Sequence, residues 1–219
     1  VMRNNGIVAN ASATGNVTTT GDNVGGLIGN HHRGTRLRNV TATGDVLTAG
    51  DYVGGLVGRT RASITDATAS GEVTTDGQRV GGLVGYLDAH SNEEVRNVTA
   101  TGNVSAGGQY VGGLVGYVDQ NSDIDEVTMS DAHATGDVNT TYAEESNAYV
   151  GGLVGRFHES RHLTNVSATG DVTSATGNYV GGLVGRLQME NGNQIVNNVS
   201  ATGNVTTSGI YVGGLIGSH

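Results

Sequence analysis

The sequence has no cysteine, no proline, no tryptophan and no lysine, and it contains one phenylalanine. Without cysteine, the chain can form neither a disulfide framework nor a thiolate metal site, which excludes zinc fingers and iron–sulfur centres. Only 4% of the residues are aromatic, although aromatic side chains supply much of the bulk of ordinary cores. The sequence therefore predicts thin, regular layers of small buried side chains rather than a thick core.

Charged residues are also scarce, and most of them are acidic. Eleven arginines face 20 acidic residues, which gives a net charge of −9. A polyanion such as nucleic acid is therefore not an expected partner. The sequence has no apolar run of 18 residues and no charged leader followed by an apolar core, so we expect neither a membrane span nor an export signal within it.

Two short motifs recur in phase along the chain. The first motif, V-G-G-L-[VI]-G, begins at Val24, Val53, Val80, Val111, Val150, Val180 and Val212. The second motif, [AT]-[TS]-G-[DNE]-V, has its glycine at Gly15, Gly44, Gly71, Gly102, Gly136, Gly170 and Gly203. The glycine precedes the next V-G-G by nine residues in five copies, whereas the connector that leads to the following glycine varies in length. A period near 30 residues indicates a repeat architecture.

Each second motif alternates small apolar residues with polar ones. In residues 39–46, NVTATGDV, the even positions hold Val, Ala, Gly and Val, which predicts one half-buried strand with those positions inside. The first motif breaks this alternation, because Val53 and Val57 would lie inside while Leu56 would lie outside. We expect a corner or a bulge at its glycine pair, because glycine supplies the permissive φ and the close backbone approach that such a bend requires. The first glycines of these pairs are Gly25, Gly54, Gly81, Gly112, Gly151, Gly181 and Gly213.

No window has a sustained 3.6-residue apolar period, and the recurring glycines disfavour helices. A unit of about 30 residues with two or three short strands cannot bury its apolar face alone, so successive units must stack. We therefore predict an all-β fold, a parallel β-solenoid (β-helix) of seven coils of about 30 residues. Residues 1–219 form a single repeat domain in this prediction.

The YVGGLVG segments that follow ATGDV-like strands resemble the GLUG repeat, a short glycine-rich motif of secreted and cell-surface proteins. The resemblance covers nearly the whole chain. It implies an extracellular, non-enzymatic region with a structural or adhesive role, and it supplies no catalytic residues. Asn23 and Arg79 stand where five other copies have tyrosine, so an unbroken tyrosine column is not expected.

Neither end of the sequence resembles the polar cap that repeat proteins place over their last coil. We therefore expect either a segment of a longer surface protein or a subunit that self-associates end to end into a filament. The variable connectors, such as YLDAHSNEEVR and YVDQNSDIDEV, carry most of the charge. Any recognition of other surface proteins or glycans is expected at these connectors.

Two sequence patterns contain residue types that bind metal ions in other proteins. Residues 158–162 read HESRH and match the H-E-x-x-H pattern, in which two histidines one helical turn apart bind zinc. The connector leaves no room for that helix, so a solvent-facing loop is favoured over a metal-dependent peptidase that uses His158 and His162. A Ca²⁺ site would need paired carboxylates after the second-motif glycine, where turn chemistry is the alternative interpretation. The pairs in adjacent coils are Asp45 with Glu72 and Asp137 with Asp171.

Outward positions around the alanine of the second motif carry hydroxyl groups in nearly every copy. Such residues lie about 7 Å apart along a strand and about 4.8 Å from those of the next coil, a spacing that resembles the Thr-x-Thr grids of ice-binding solenoids. Ice binding is therefore an alternative function, although strand propensity also favours threonine and His133 interrupts the array. The hydroxyl ladder comprises Thr14, Thr41, Thr43, Thr99, Thr101, Thr135, Thr169 and Thr202.

The same face carries nine Asn-x-Ser/Thr sequons, which would make an exported protein a glycoprotein. Most arise from the repeat itself and are not independent evidence of modification. The glycosylation candidates are Asn39, Asn97, Asn103, Asn165, Asn198 and Asn204, and the remaining sequons begin at Asn10, Asn16 and Asn139. Attached sugars would compete with ice for this face.

Overall fold

Each coil of the chain contributes four strands, one to each of four parallel sheets. The computed structural model describes residues 6–89, 92–120, 127–141, 148–158, 162–188 and 195–219. Within these ranges the chain forms 28 strands and no helix, and every sheet has seven strands. The all-β parallel solenoid is confirmed. The prediction of two or three strands in each unit is wrong, because the chain bends at both motifs.

The four sheets are numbered here in their order along a coil. Sheet 1 contains Gly6–Ala13, Thr35–Ala42, Ile64–Ala69, Glu93–Ala100, Val127–Ala134, His162–Ala168 and Ile195–Ala201. Sheet 2 contains Val17–Thr18, Val46–Thr48, Val73–Thr75, Val104–Ala106, Val138–Thr140, Val172–Ser174 and Val205–Thr207. Sheet 3 contains Val24–Gly25, Val53–Gly54, Val80–Gly81, Tyr110–Gly112, Tyr149–Gly151, Tyr179–Gly181 and Tyr211–Gly213. Sheet 4 contains Ile28–His31, Val57–Thr60, Val84–Ala89, Val115–Gln120, Val154–His158, Val184–Gln188 and Ile216–Ser218.

Parallel pairing places equivalent residues of successive coils beside one another. Val53, for example, pairs with Val24 below it and with Val80 above it. Backbone bonds continue through the bends, as where the Leu56 N–H donates to the Leu83 carbonyl at 3.0 Å. Valine therefore stacks on valine and leucine on leucine, as the period predicted.

The second motif forms a corner rather than one continuous strand. The sheet 1 strand ends at Ala42 and the sheet 2 strand begins at Val46, so the single strand predicted over residues 39–46 is wrong. A Cβ atom on Gly44 would overlap the carbonyl oxygen of Gly15 in the coil below, and only glycine fits this close approach. The predicted inside positions are correct, because Val40, Ala42 and Val46 are each 1% exposed.

The glycine pair of the first motif makes the expected corner between sheets 3 and 4. Leu56 lies at this bend and is fully buried, because the chain turns before strict alternation would carry its side chain outward. A Cβ on Gly54 would lie 2.7 Å from the Leu83 carbonyl oxygen. The glycine pairs do not use the left-handed region, since Gly34 is the single glycine with positive φ in the described ranges. Close packing of backbones therefore explains these glycines.

The core divides into two apolar clusters that run along the solenoid. Inward side chains of sheets 1 and 4 form one cluster with the corner leucines, and it includes Leu37, Leu114 and Phe157. Valines of sheets 2 and 3 form the other cluster, which includes Val46 and Val53. Since the described part of the chain contains no helix, none in it is long and apolar enough to cross a bilayer.

Candidate functional site

One residue in each sheet 1 strand is an asparagine or aspartate whose backbone is in the left-handed region. These residues form a column along the solenoid. Its members have φ between 51° and 55°. Asn and Asp adopt this region more readily than other residues that carry a Cβ. The asparagine column comprises Asn10, Asn39, Asp66, Asn97, Asp131, Asn165 and Asn198.

Hydrogen bonds between side chains connect neighbouring coils in four of the six steps of this asparagine column. The Nδ2 of Asn39 donates to Oδ1 of Asn10 at 2.6 Å, and the Nδ2 of Asn97 donates to Oδ1 of Asp66 at 2.7 Å. Asn165 donates in the same way to Asp131, and Asn198 donates to Asn165 at 2.8 Å. All four sequon candidates in this column, Asn39, Asn97, Asn165 and Asn198, therefore use their Nδ2 atoms in contacts between coils.

A second column of short polar side chains lies at the corner between sheets 1 and 2. In five of the six steps along this corner, Oδ1 of one coil accepts the backbone N–H of the equivalent residue in the next coil; the exception is the step from Glu72 to Asn103. The Asp45 N–H thus donates to Asn16 at 2.9 Å, and the Asp137 N–H donates to Asn103 at 2.9 Å. The corner column comprises Asn16, Asp45, Glu72, Asn103, Asp137, Asp171 and Asn204.

The carboxylates proposed for Ca²⁺ belong to this corner column. Oδ1 of Asp45 accepts the Glu72 N–H at 3.0 Å, and Oδ1 of Asp137 accepts the Asp171 N–H at 2.9 Å. Across the described residues, no three His, Asp or Glu side chains are grouped so as to hold a metal ion. The geometry matches the turn interpretation of these residues.

The hydroxyl ladder is in register but does not form one flat surface. Thr41 pairs with Ser12 and Thr68 along sheet 1, and Thr68 pairs with Thr99. His133 follows Thr99 in this row, and its Nδ1 lies 2.9 Å from the Ser167 hydroxyl. The second row lies beyond the strand ends, at the corner: Thr14, Thr43, Thr101, Thr135, Thr169 and Thr202. Ice binding stays a prediction.

Tyrosine rings stack along the outside of sheets 3 and 4. Tyr110, Tyr149, Tyr179 and Tyr211 stack at centroid distances of 4.8–5.2 Å, with rings within 10° of parallel. The expected break at Arg79 is real, but Tyr117 continues the stack, since its ring lies 4.9 Å from that of Tyr110.

Arginine guanidinium groups fill the gaps in this tyrosine stack. The Arg79 guanidinium carbon lies 5.0 Å from the centroid of Tyr52 and 5.3 Å from that of Tyr110, within the range of cation–π attraction. Sequence reasoning missed this arrangement. The available signal was the residue after the first motif, which is either arginine or tyrosine in five consecutive copies: Arg59, Tyr86, Tyr117, Arg156 and Arg186.

Two carboxylates on sheet 4 bind arginine and tyrosine side chains in or beside this stack. Asp88 is nearly fully buried and forms ion pairs with Arg59 and with Arg61, whose Nε lies 2.7 Å away. Asp119 accepts hydrogen bonds from the Tyr86 hydroxyl at 2.8 Å and the Tyr117 hydroxyl at 3.0 Å. Burial, reinforced by Asp119, raises the pKa of both phenols above the usual range. Both therefore remain protonated hydrogen-bond donors at neutral pH.

The two histidines of the HESRH segment lie on different sheets. His158 ends a sheet 4 strand, with its Nδ1 at 3.2 Å from Asp119, and His162 begins a sheet 1 strand. Residues 159–161 lie outside the described ranges. Because strands rather than a helix carry the histidines, they lack the helical placement that the peptidase pattern requires.

His31 is the most strongly perturbed histidine in the described part of the chain. Its Nδ1 lies 2.9 Å from the Thr60 hydroxyl, and its Nε2 lies 2.6 Å from the Thr35 hydroxyl. Burial, together with the neighbouring charge of His32, lowers the pKa of His31 from 6.5 to about 4. The ring is therefore neutral in the folded protein at neutral pH.

The stability of the chain should decrease as the pH falls from 6.5 to 4. In this window an unfolded His31 binds a proton that the folded ring does not, so acid favours unfolding. Denaturant unfolding measured at pH 7 and pH 4.5 should show a smaller loss for His31→Gln than for the parent chain. His32→Gln changes an exposed neighbour and should keep most of the loss. Equal losses in all three proteins would contradict the assignment.

Comparison with known proteins identifies the repeat. The GLUG motif matches residues 20–47, 49–74, 76–105 and 107–139, which together make up more than half of the chain. This chain belongs to the GLUG-motif family. In the structure, each GLUG match contains the sheet 3 and sheet 4 strands of one coil and the sheet 1 strand of the next coil, and it ends within the following sheet 2 strand.

The GLUG chain is also similar to part of a much longer protein. It is 73% identical over 223 residues to halomucin from Haloquadratum walsbyi (strain DSM 16790 / HBSQ001), and the similarity covers the whole chain. The chain spans about 2% of the length of halomucin. No solved structure matches the GLUG chain.

Proposed function

We propose that this GLUG solenoid is a non-enzymatic structural segment of an extracellular surface protein, in which the coils form a spacer and the connectors form a recognition edge. The observation that carries the proposal is the unbroken register of the four sheets. Each pairs equivalent residues from the first described coil to the last. A structure of this kind gains length with every coil, by about 4.8 Å, without changing its cross-section.

The connectors differ between coils while the strands repeat. They join sheet 4 to sheet 1 on one side of the solenoid, and one of them, the segment 121–126, reads NSDIDE and carries three acidic residues. Surface loops on a rigid scaffold are common sites of recognition. We therefore assign adhesion, to surface proteins or glycans, to this edge. End-to-end stacking of copies would continue the same parallel pairing and belongs to the same proposal.

Family membership supports the extracellular assignment. The GLUG repeats resemble those of secreted and cell-surface proteins, and the 73% identity with halomucin connects the chain to a very large protein. The composition is compatible with this setting, because the chain has no cysteine to be oxidised outside the cell.

The location can be tested on intact cells that express the parent protein. Antibodies raised against the 219-residue chain should label the outside of cells that have not been permeabilised, with gold particles at the surface in electron micrographs. Labelling that requires permeabilisation would contradict the extracellular assignment.

The adhesive role can be tested with beads that carry the chain. Beads should attach to the same cells, and a variant with Asp123→Asn, Asp125→Asn and Glu126→Gln should attach several-fold less. The matched control removes three charges from the corner column, with Asp45→Asn, Glu72→Gln and Asp137→Asn, and keeps the Oδ1 acceptors of residues 45 and 137. Equal attachment of both variants would contradict the assignment of the recognition edge to the connectors.

A further inference from the structure

Eight of the nine sequons lie in two columns with different chemistry; Asn10 is the first-coil member of the asparagine column, and the ninth sequon, at Asn139, lies on sheet 2. Asn39, Asn97, Asn165 and Asn198 lie in the asparagine column, whereas Asn16, Asn103 and Asn204 lie in the corner column. Exposure does not separate the two sets, because all seven residues are exposed. Their hydrogen bonds do separate them.

We propose that Asn16 and Asn103, at the corner between sheets 1 and 2, are N-glycosylated in the mature protein and that Asn39, Asn97, Asn165 and Asn198 of the asparagine column are not. This inference rests on the proposed extracellular function, because sugar transfer to sequons occurs on exported chains. The ligand class is a sugar delivered by a lipid-linked phosphate or pyrophosphate donor.

The transfer reaction depends on the side-chain amide nitrogen. The Nδ2–C1 bond to the sugar forms while the C1–O bond to the lipid phosphate breaks. One Nδ2 proton is lost to a base, and the lipid phosphate is the leaving group. The reaction therefore needs an Nδ2 atom that is accessible and has space beside it for a sugar.

The four sequon candidates of the asparagine column that have a coil below them do not offer an unengaged Nδ2. Each of these four donates Nδ2–H to the coil below, with distances of 2.6 Å from Asn39, 2.7 Å from Asn97 and 2.8 Å from Asn198. The neighbouring side chain follows after one coil, about 4.8 Å away, which is less than the width of a hexose with its hydroxyl groups. A glycosylated asparagine keeps one Nδ2–H, but a sugar on the same nitrogen would crowd the neighbouring side chain and hinder the bond between coils.

In the corner column, the asparagine side chains form their bonds between coils through Oδ1 rather than through Nδ2. Oδ1 of Asn16 accepts the Asp45 N–H, and Oδ1 of Asn103 accepts the Asp137 N–H, both at 2.9 Å. These bonds fix the carbonyl side and leave Nδ2 unengaged within the described residues. Asn204 differs, because its Nδ2 lies 3.2 Å from Oδ1 of Asp171. The proposal is therefore limited to Asn16 and Asn103.

Spacing along the corner column gives a sugar room. Two coils with acidic residues, Asp45 and Glu72, separate Asn16 from Asn103. Three coil steps place these asparagines about 14 Å apart. The connectors that join sheets 4 and 1 start and end on a different edge from this corner, so sugars there would leave the proposed recognition edge uncovered.

The test uses glycopeptide mass spectrometry on the full chain, secreted from a host that N-glycosylates its exported proteins. An Asn-Gly-Ser sequon in an added flexible tail reports that the transferase reached the chain. We expect sugar on Asn16, Asn103 and the tail, with at least tenfold lower occupancy on Asn39, Asn97, Asn165 and Asn198. Ser105→Ala keeps Asn103 but should abolish its modification.

A matched pair of new sequons tests the columns directly. Asp171→Asn creates Asn-Val-Thr in the corner column and should gain a sugar, whereas Asp66→Asn creates Asn-Ala-Thr in the asparagine column and should not. A modified tail with bare Asn16 and Asn103, or with sugar in the asparagine column, would overturn the proposal. Failure of the proposed location would appear separately, as absence of surface labelling on cells that express the parent protein.

Discussion

Replacing Gly102 by alanine should lower the free energy of unfolding by about 3 kcal/mol or more, or prevent folding. A Cβ at this corner would overlap the carbonyl oxygen of Gly71 in the coil below. Backbone cannot move aside as a flexible side chain can, so the two coils must separate and lose their pairing. Denaturant unfolding followed by far-ultraviolet circular dichroism measures the loss.

Gly15→Ala is the matched control, because Gly15 occupies the same position of the repeat in the first coil. Nothing lies within 4 Å of a Cβ built there, so the free energy of unfolding should change by less than about 1 kcal/mol. Similar losses for the two variants would show that the glycine is needed for its φ/ψ freedom rather than for the close approach of successive coils.

Leu114→Ala should cost about 2–5 kcal/mol of stability through the cavity that it creates. Leu114 is fully buried at the corner between sheets 3 and 4 and stacks between the corner leucines of adjacent coils. Leu47→Ala is the same substitution on the outer face of sheet 2, where the side chain is 51% exposed. It should change stability by less than about 0.5 kcal/mol. Equal effects in denaturant unfolding would contradict the assignment of the core.

The fold could be predicted from the sequence because a repeat constrains it many times over. The alternation in residues 39–46 gave the correct inner face, and the broken alternation around Leu56 located a corner. The second corner, at Gly44, was missed because alternation continues through it. The need for glycine there arises from the neighbouring coil, which a local pattern does not contain.

The surface columns were less accessible to sequence reasoning. Asn39 was recognised as a sequon, but its φ of 51° and its bond to Asn10 depend on which residues the coils place together. The stack from Tyr110 to Tyr117 joins residues of two sheets, so a search for one tyrosine position in each repeat overlooked it. These contacts depend on the register between neighbouring strands, and the register is known only from the three-dimensional structure.

The asparagine column also imposes a rule on the order in which units can be joined. Its donors always lie in the later coil, since Asn97 donates to Asp66 and Asn165 donates to Asp131. An aspartate in this column can accept a side-chain hydrogen bond but cannot donate one, so the unit that follows it needs an asparagine as the donor. Two consecutive aspartates would place two carboxylates side by side with no hydrogen bond between them. Gene duplication or shuffling of units is therefore constrained by neighbour, and a unit that is stable in one place can be incompatible in another.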